Sequence, residues 1–298
     1  MLIETHIVPS ISEAQRLSDY LCGVFPQLPS RKSVKNAIRA GLVFVDGKKG
    51  YTGDWVISDQ KIELYELDQT PTKIYKYKIK VVYEDEDIAI VNKPAGISVS
   101  GNQFRTVENA LLYNLIPSKK IDAFKKPRPV HRLDNQTSGL LLIAKTKQAR
   151  IHLGEQFEKR SIRKNYKAIV IGQPNSNGKI NFDINGKPSI SVFELERTVR
   201  SLKNNYLSLL NLYPLTGRTH QLRIHLSKIG FPILGDKLYG QEGLILKGKG
   251  LFLAAVSLEF IHPITESSQL IQIKMPNKFE AILEREQRRF DVFYSENK

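Results

Sequence analysis

A chain of 298 residues, 41% of them apolar, can bury a large core and points to two domains. The single cysteine, Cys22, rules out an intramolecular disulfide and disfavours a cysteine-built metal site, and no apolar run has the length of a membrane helix. The formal charge of +15 is uneven: residues 1–70 sum to −1, whereas Lys119 to Lys167 holds 14 Lys and Arg against 4 Asp and Glu.

The start, Met1 to His6, lacks the basic and apolar segments of a signal peptide, so a reducing cytoplasm is expected. A positive field there attracts polyanions, nucleic acid above all. Arg16 to Phe25 places Leu17, Tyr20, Leu21, Val24 and Phe25 at helical spacing, and Pro26 and Pro29 end it. Ser30 is the N-cap of a second helix, with Val34, Ala37 and Ile38 inward and Gly41 as the stop. On that helix Arg31, Lys35 and Arg39 recur every four residues and form one basic stripe with Lys32. Leu42 to Val45, a turn at Asp46 and Gly47, and a return toward Trp55 and Val56 read as a hairpin. Residues 15–65 resemble the S4 RNA-binding domain, through the leading Arg16-Leu17, the basic second helix and the run Gly-Leu-Val-Phe-Val-Asp-Gly-Lys ending at Lys48. That resemblance implies that Arg31, Lys32, Lys35 and Arg39 touch RNA.

Residues 69–78 contain a proline and no stable period, which sets the boundary between a domain at 1–70 and a second at 71–298. Ile79 to Tyr83, the acidic turn Glu84 to Asp87, and Ile88 to Val91 predict a second hairpin, ended by Lys93 to Gly96. Val107 to Leu115 predicts a short helix. Arg128 to Thr146 then carries His131, Arg132 and Asp134 on a polar loop that runs into an apolar strand, Leu140 to Ala144. A helix over 147–159, strands over 165–171 and 206–212, and a helix capped by Thr219 follow. The last has Leu222, Leu226 and Ile229 inward and Gly230 past its end. A strand over 252–260 and a charged helix over 278–289 close the chain. Strands mixed with short helices, without strict βαβ alternation, predict an α+β fold whose mixed, largely antiparallel sheet is flanked by helices.

The chain lacks a Gly-x-Ser-x-Gly elbow, a phosphate loop, a dinucleotide fingerprint and a His-Glu-x-x-His pair, so no cofactor and no metal are expected. What remains is Asp134, the aromatic hydroxyl of Tyr166, and the arginines Arg218 and Arg223. An aspartate in a basic cleft is expected ionised, able to act as nucleophile or base. Taken alone, His-Arg-Leu-Asp more often means a surface pair between Asp134 and Arg132.

It does not stand alone. VVYEDEDIAIVNKPAGISV, RPVHRLDNQTSGLLLIAKT, KNYKAIVIG, LTGRTHQLRIHLSKIGFPILGDKLYG and LEFIHP occur in this order. The set resembles the RluA-type pseudouridine synthases over about 80–275, and an S4 domain in front suits that family. The resemblance implies isomerisation of uridine in ribosomal RNA, with transfer RNA as second choice, by an enzyme that uses no cofactor; a monomer is expected. By match, Asp134 is the catalytic aspartate, either attacking the ribose or acting as a base on it. Tyr166 packs against the flipped base, Arg223 salt-bridges the aspartate, and Arg132 fills the gap the base leaves. His131, Arg218, His220 and Gln221, on the same motifs, are placed as RNA contacts. The chain departs from the family pattern at Asn135 and Gln136, at Ala254, and at Ile97 to Gly101; these bear on target choice. Two other classes fit less well: a non-catalytic RNA-binding factor, and a glycoside or nucleoside hydrolase. The latter needs a second carboxylate, for which Asp236 is the one candidate, and Leu-Gly-Asp there reads as a turn.

Overall fold

The computed structural model describes residues 2–65, 74–244, 246 and 248–296. The chain divides into two compact units, Met1–Thr72 and Lys73–Lys298. The boundary expected at residue 70, and residues 69–73 of the expected linker, lie outside the described residues.

In the first unit, β1 (Leu2–Ile7), β2 (Gln15–Arg16), α1 (Leu17–Tyr20), α2 (Arg31–Arg39), β3 (Val43–Val45), β4 (Lys48–Lys49), β5 (Trp55–Val56) and β6 (Lys61–Tyr65) follow one another. An antiparallel sheet in the order β1-β6-β3-β4 packs on the helices through Leu17, Leu21, Phe25, Val34, Ile38, Val43 and Ile62. The helix expected over 16–25 is a single turn. Beyond it the backbone makes tighter bonds, Cys22 to Asp19 and Val24 to Leu21, and Gly23 turns left-handed at φ +82°. The apolar spacing survives because Leu17, Leu21 and Phe25 still face the core. In contrast, α2 forms as expected. Ser30 Oγ accepts the Ser33 N–H at 3.2 Å while Ser33 Oγ accepts the Ser30 N–H at 3.0 Å, a reciprocal cap. The hairpin turn also forms, with Asp46 and Gly47 both at positive φ. Its return strand is β4, however. Trp55 and Val56 instead pair with Gln15 and Arg16.

The second unit contains β7 (Lys80–Glu84), β8 (Ile88–Lys93), α3 (Val107–Asn114), β9 (Ala123–Pro129), β10 (Ser138–Thr146), α4 (Lys147–Glu158), β11 (Arg163–Ile171) and β12 (Asn177–Asn181). These are followed by β13 (Ile190–Ser201), β14 (Asn205–Pro214), α5 (Gln221–Lys228), β15 (Leu253–Ile261), β16 (Ser268–Gln272) and α6 (Asn277–Glu296). One sheet runs β12-β13-β14-β11-β15-β10-β8-β7, with β16 on β15 and β9 on β10. Among the described strands only β10 and β15 pair in parallel, through Ser138–Ala254 and Gly139–Ala255. That seam joins the two halves of the sheet. Gly139 is required there: its φ is +116°, and a Cβ would lie 2.0 Å from the Ala255 carbonyl oxygen. β10 is a continuous apolar run because both its faces are covered. Leu141 and Ile143 meet α3, and Leu140, Leu142 and Ala144 meet α4. A third cluster holds Leu222 and Leu226 of α5 and Phe279, Ile282 and Leu283 of α6. The fold is α+β and largely antiparallel. No described helix is long and apolar enough to cross a membrane.

Candidate active site

The polar loop before β10 opens where β10, β15 and β11 meet. Three bonds fix it: the Thr137 N–H donates to the Asp134 carbonyl at 3.1 Å, and the Asn135 carbonyl accepts from Gly96 N–H at 2.8 Å and from Lys93 Nζ at 3.0 Å. Lys93, at the end of β8, is wholly buried. Burial pushes its amine down to about 8, against the pull of the Asp134 charge. Asp134 thus sits on a loop tied to the core, its carboxylate still reachable at 17% exposure.

A cavity of about 320 Å³ opens beside it. The residues expected at the site in the second domain all line that cavity: His131, Arg132, Asp134, Tyr166, Arg218, His220, Gln221 and Arg223. Arg223 Nη1 lies 3.7 Å from Asp134 Oδ2, and His220 Nε2 lies 3.8 Å from Asp134 Oδ1. Tyr166 comes from β11, opposite Ala255 across the sheet. Burial, and then the Asp134 charge, raise its phenol pKa, so the hydroxyl stays protonated.

Asp236 is the residue that sequence reasoning set aside. It is buried, and it grips Arg223 in a fork, Nε to Oδ2 at 2.7 Å and Nη2 to Oδ1 at 2.8 Å. Its Oδ1 also accepts the N–H groups of Leu238 and Tyr239. Burial alone would raise the Asp236 pKa; the Arg223 and backbone hydrogen bonds outweigh it and hold the pKa below the usual range. The expected turn is present too, since Gly235 has φ +79°. A usable signal was the carboxylate 13 residues beyond a buried arginine that needs more than one partner. Tyr239 adds to this frame. Its hydroxyl meets His220 Nδ1 at 3.0 Å, and its ring lies 5.0 Å from the Arg223 guanidinium carbon.

The start of α5 differs from expectation. Thr219 is not the cap; His220 is, in a left-handed conformation at φ 56° with no side-chain cap bond. The first turn is held by Gln221 instead, whose Oε1 accepts the Arg218 N–H at 3.0 Å and the Thr216 hydroxyl at 2.7 Å. Its amide nitrogen donates to the Ile190 carbonyl and Ser191 Oγ. The side chain of Gln221 is therefore engaged within the protein. So is His131, whose Nε2 accepts the Leu142 N–H at 3.0 Å while its ring stacks on Phe157. Burial pushes that imidazole down to about 3, so it is neutral. Arg132 is exposed at the rim. Arg218 turns toward the cavity with its Nε buried and unbonded. Lys164, unremarked in the sequence, also lines the cavity, with its pKa lowered by burial. Arg31, Lys32, Lys35 and Arg39 belong to the first unit, where Arg31 Nε pairs with Asp19 at 2.6 Å on an exposed face.

Among the described residues, the cavity therefore presents one carboxylate, the rings of Tyr166 and Phe157, and cations in excess, of which Arg223 alone is neutralised by a buried carboxylate. Such a lining can take a flat, uncharged ring carried on a phosphate-linked group.

Comparison with known proteins gives the family. The model of the RNA pseudouridylate synthase family matches residues 87–228. An uncharacterized RNA pseudouridine synthase of Aquifex aeolicus is 32% identical over 302 residues, covering 91% of this chain and 93% of that protein. The ribosomal large subunit pseudouridine synthase C of Rickettsia bellii is 31% identical, over 90% of this chain and 97% of its own. Human RNA pseudouridylate synthase domain containing 1 superposes with a TM-score of 0.56 at 25% identity, over 70% of this chain and 86% of its own.

Proposed function

The chain belongs to the RNA pseudouridylate synthase family and is an RNA pseudouridine synthase, and we propose that it acts on uridine in ribosomal RNA through Asp134. The observation that carries the role of Asp134 is its place in one cavity with Tyr166 and Arg223, the guanidinium fixed by Asp236. The reaction is an isomerisation. The bond from ribose C1′ to N1 of the base breaks, the base turns, and C1′ bonds to C5. The C5 hydrogen leaves as a proton, and N1 gains one. Asp134 begins this either by attacking C1′ or by taking a proton from C2′. Uridine deuterated at C2′ separates the routes, since only the second gives a primary isotope effect.

The other residues take supporting roles. Tyr166 offers its ring to the extruded uracil and enters as a phenol, not a phenolate. Arg223 holds the carboxylate. Arg132, at the rim, fills the place the base vacates, and Arg218 and His220 contact the RNA beside it. His131 and Gln221 act by holding the loop and the start of α5. Extrusion costs a few kcal/mol, which phosphate contacts along the basic region offset. The first unit acts as an S4-type RNA-binding module, with Lys32, Lys35 and Arg39 toward the phosphate backbone. The enzyme works in the cytoplasm as a monomer, without a cofactor. Pseudouridine mapping of total RNA from a deletion strain and its parent tests the substrate. Loss at one or a few positions of large-subunit ribosomal RNA is expected; loss confined to transfer RNA would contradict it.

A further inference from the structure

A second hollow, of about 350 Å³, shares the segment Val130–Arg132 with the catalytic cavity. Arg128, Arg132 and Arg150 converge on it, with one carboxylate, Glu108, already held by Arg128 at 3.1 Å. Among the described residues, no carboxylate pairs with Arg132 or Arg150; the Arg150 guanidinium lies 5.9 Å from the Phe124 ring. The hollow is thus cationic beyond what the protein neutralises, and its size suits a small ligand.

Its edge is tied to the catalytic loop. Ser100 lines the hollow, and two residues before it Ser98 Oγ accepts from Asn135 Nδ2 at 3.1 Å. Asn135 directly follows Asp134, and its carbonyl accepts the Gly96 N–H. Ile97 to Gly101 and Asn135 are two of the places where this chain departs from the family pattern. The fold brings them into contact, beside the hollow.

We propose that this hollow holds a second unpaired nucleotide of the same RNA, next to the target uridine, and that it contributes to target choice. The proposal rests on the RNA substrate read above. Extruding a uridine breaks its stacking on both neighbours; Arg132 takes the vacated place against one of them, and the other is left unstacked beside the wall Val130–Arg132 that the two hollows share. Arginine supplies both needs of such a nucleotide, a charge for the phosphate and a flat face for the base.

Two variants test this. Arg150→Gln removes the charge, and Ser100→Tyr fills the space; both positions are exposed, so the fold is kept. Arg288→Gln, on an exposed position of α6, controls for the loss of one charge. Tritium release from a [5-³H]uridine-labelled large-subunit ribosomal RNA transcript gives KM and kcat. Anisotropy of a fluorescein-labelled oligouridylate decamer across a salt series gives binding. Both variants should raise KM five- to tenfold with kcat within twofold. Arg150→Gln should also make the salt slope shallower by about 0.7, the value for one phosphate. Unchanged KM in both variants, or an equal effect from Arg288→Gln, overturns the proposal. If the wild type releases no tritium from this transcript, the ribosomal substrate is wrong, and the decamer still decides the hollow.

Discussion

Two carboxylates share one guanidinium at Arg223, and they share it unequally. Asp236 takes the close fork, and Asp134 is met by the remaining nitrogen at 3.7 Å. The buried pair is the frame, and Asp134 stands at the longer contact. Asp236→Ala strands the guanidinium without its partner, which should cost about 3–5 kcal/mol of stability. Misplacing Arg223 should lower kcat about 10²-fold. Urea unfolding and tritium release read the two effects separately. His131 gives a pH prediction. Its folded pKa of about 3 lies below the ordinary 6.5, so between these values the unfolded chain binds a proton that the folded chain refuses. Its contribution is complete above pH 6.5 and is lost as pH falls toward 3, with a slope of at most about 1.4 kcal/mol per pH unit. His131→Gln, whose carbonyl can still accept the Leu142 N–H, should flatten the stability profile in that window. The motifs placed Asp134, Tyr166 and Arg223 together, and one cavity holds all three. Asp236 lies in the same motif as Arg223 yet reads there as a turn, because its role depends on a fold that brings it back to an arginine 13 residues earlier.

Among the elements, β10 shows what patterning reveals. A continuous apolar run announced a strand covered on both faces, and α3 and α4 cover it. What patterning does not carry is who pairs with whom. Trp55 and Val56 were expected to return along the hairpin, yet they pair with Gln15 and Arg16, since a two-residue strand has no period to fix its partner. The helix expected over 16–25 is one turn for a related reason. Spacing at four residues is satisfied equally by one turn of helix and a run of tight turns. The parallel seam between β10 and β15 was also invisible in the sequence, although Gly139 marks it. Gly139→Ala would force a Cβ against the Ala255 carbonyl, at 2.0 Å, and strain a positive φ. The expected destabilisation is above about 4 kcal/mol, seen as insoluble protein or a collapsed urea midpoint. A midpoint like the wild type's would show that the seam can part without cost.

At the scale of the whole molecule, the charge does the recruiting and the cavity does the selecting. The excess of +15 lies wholly beyond residue 70, with its densest stretch around the Asp134 loop. The basic face of α2 adds a second, smaller patch. Replacing Lys32, Lys35 and Arg39 with Gln should weaken RNA binding and reduce the salt slope by about 0.7–0.9 for each phosphate no longer neutralised; an unchanged slope would mean the patch is merely solvated. The most direct test of a catalytic Asp134 compares wild type and Asp134→Ala on [5-³H]uridine-labelled large-subunit ribosomal RNA, with RNA affinity measured in parallel. The variant should release no tritium above background while binding RNA within about twofold of wild type, since one small side chain is removed and every cation of the basic region remains. Full tritium release by Asp134→Ala would contradict it.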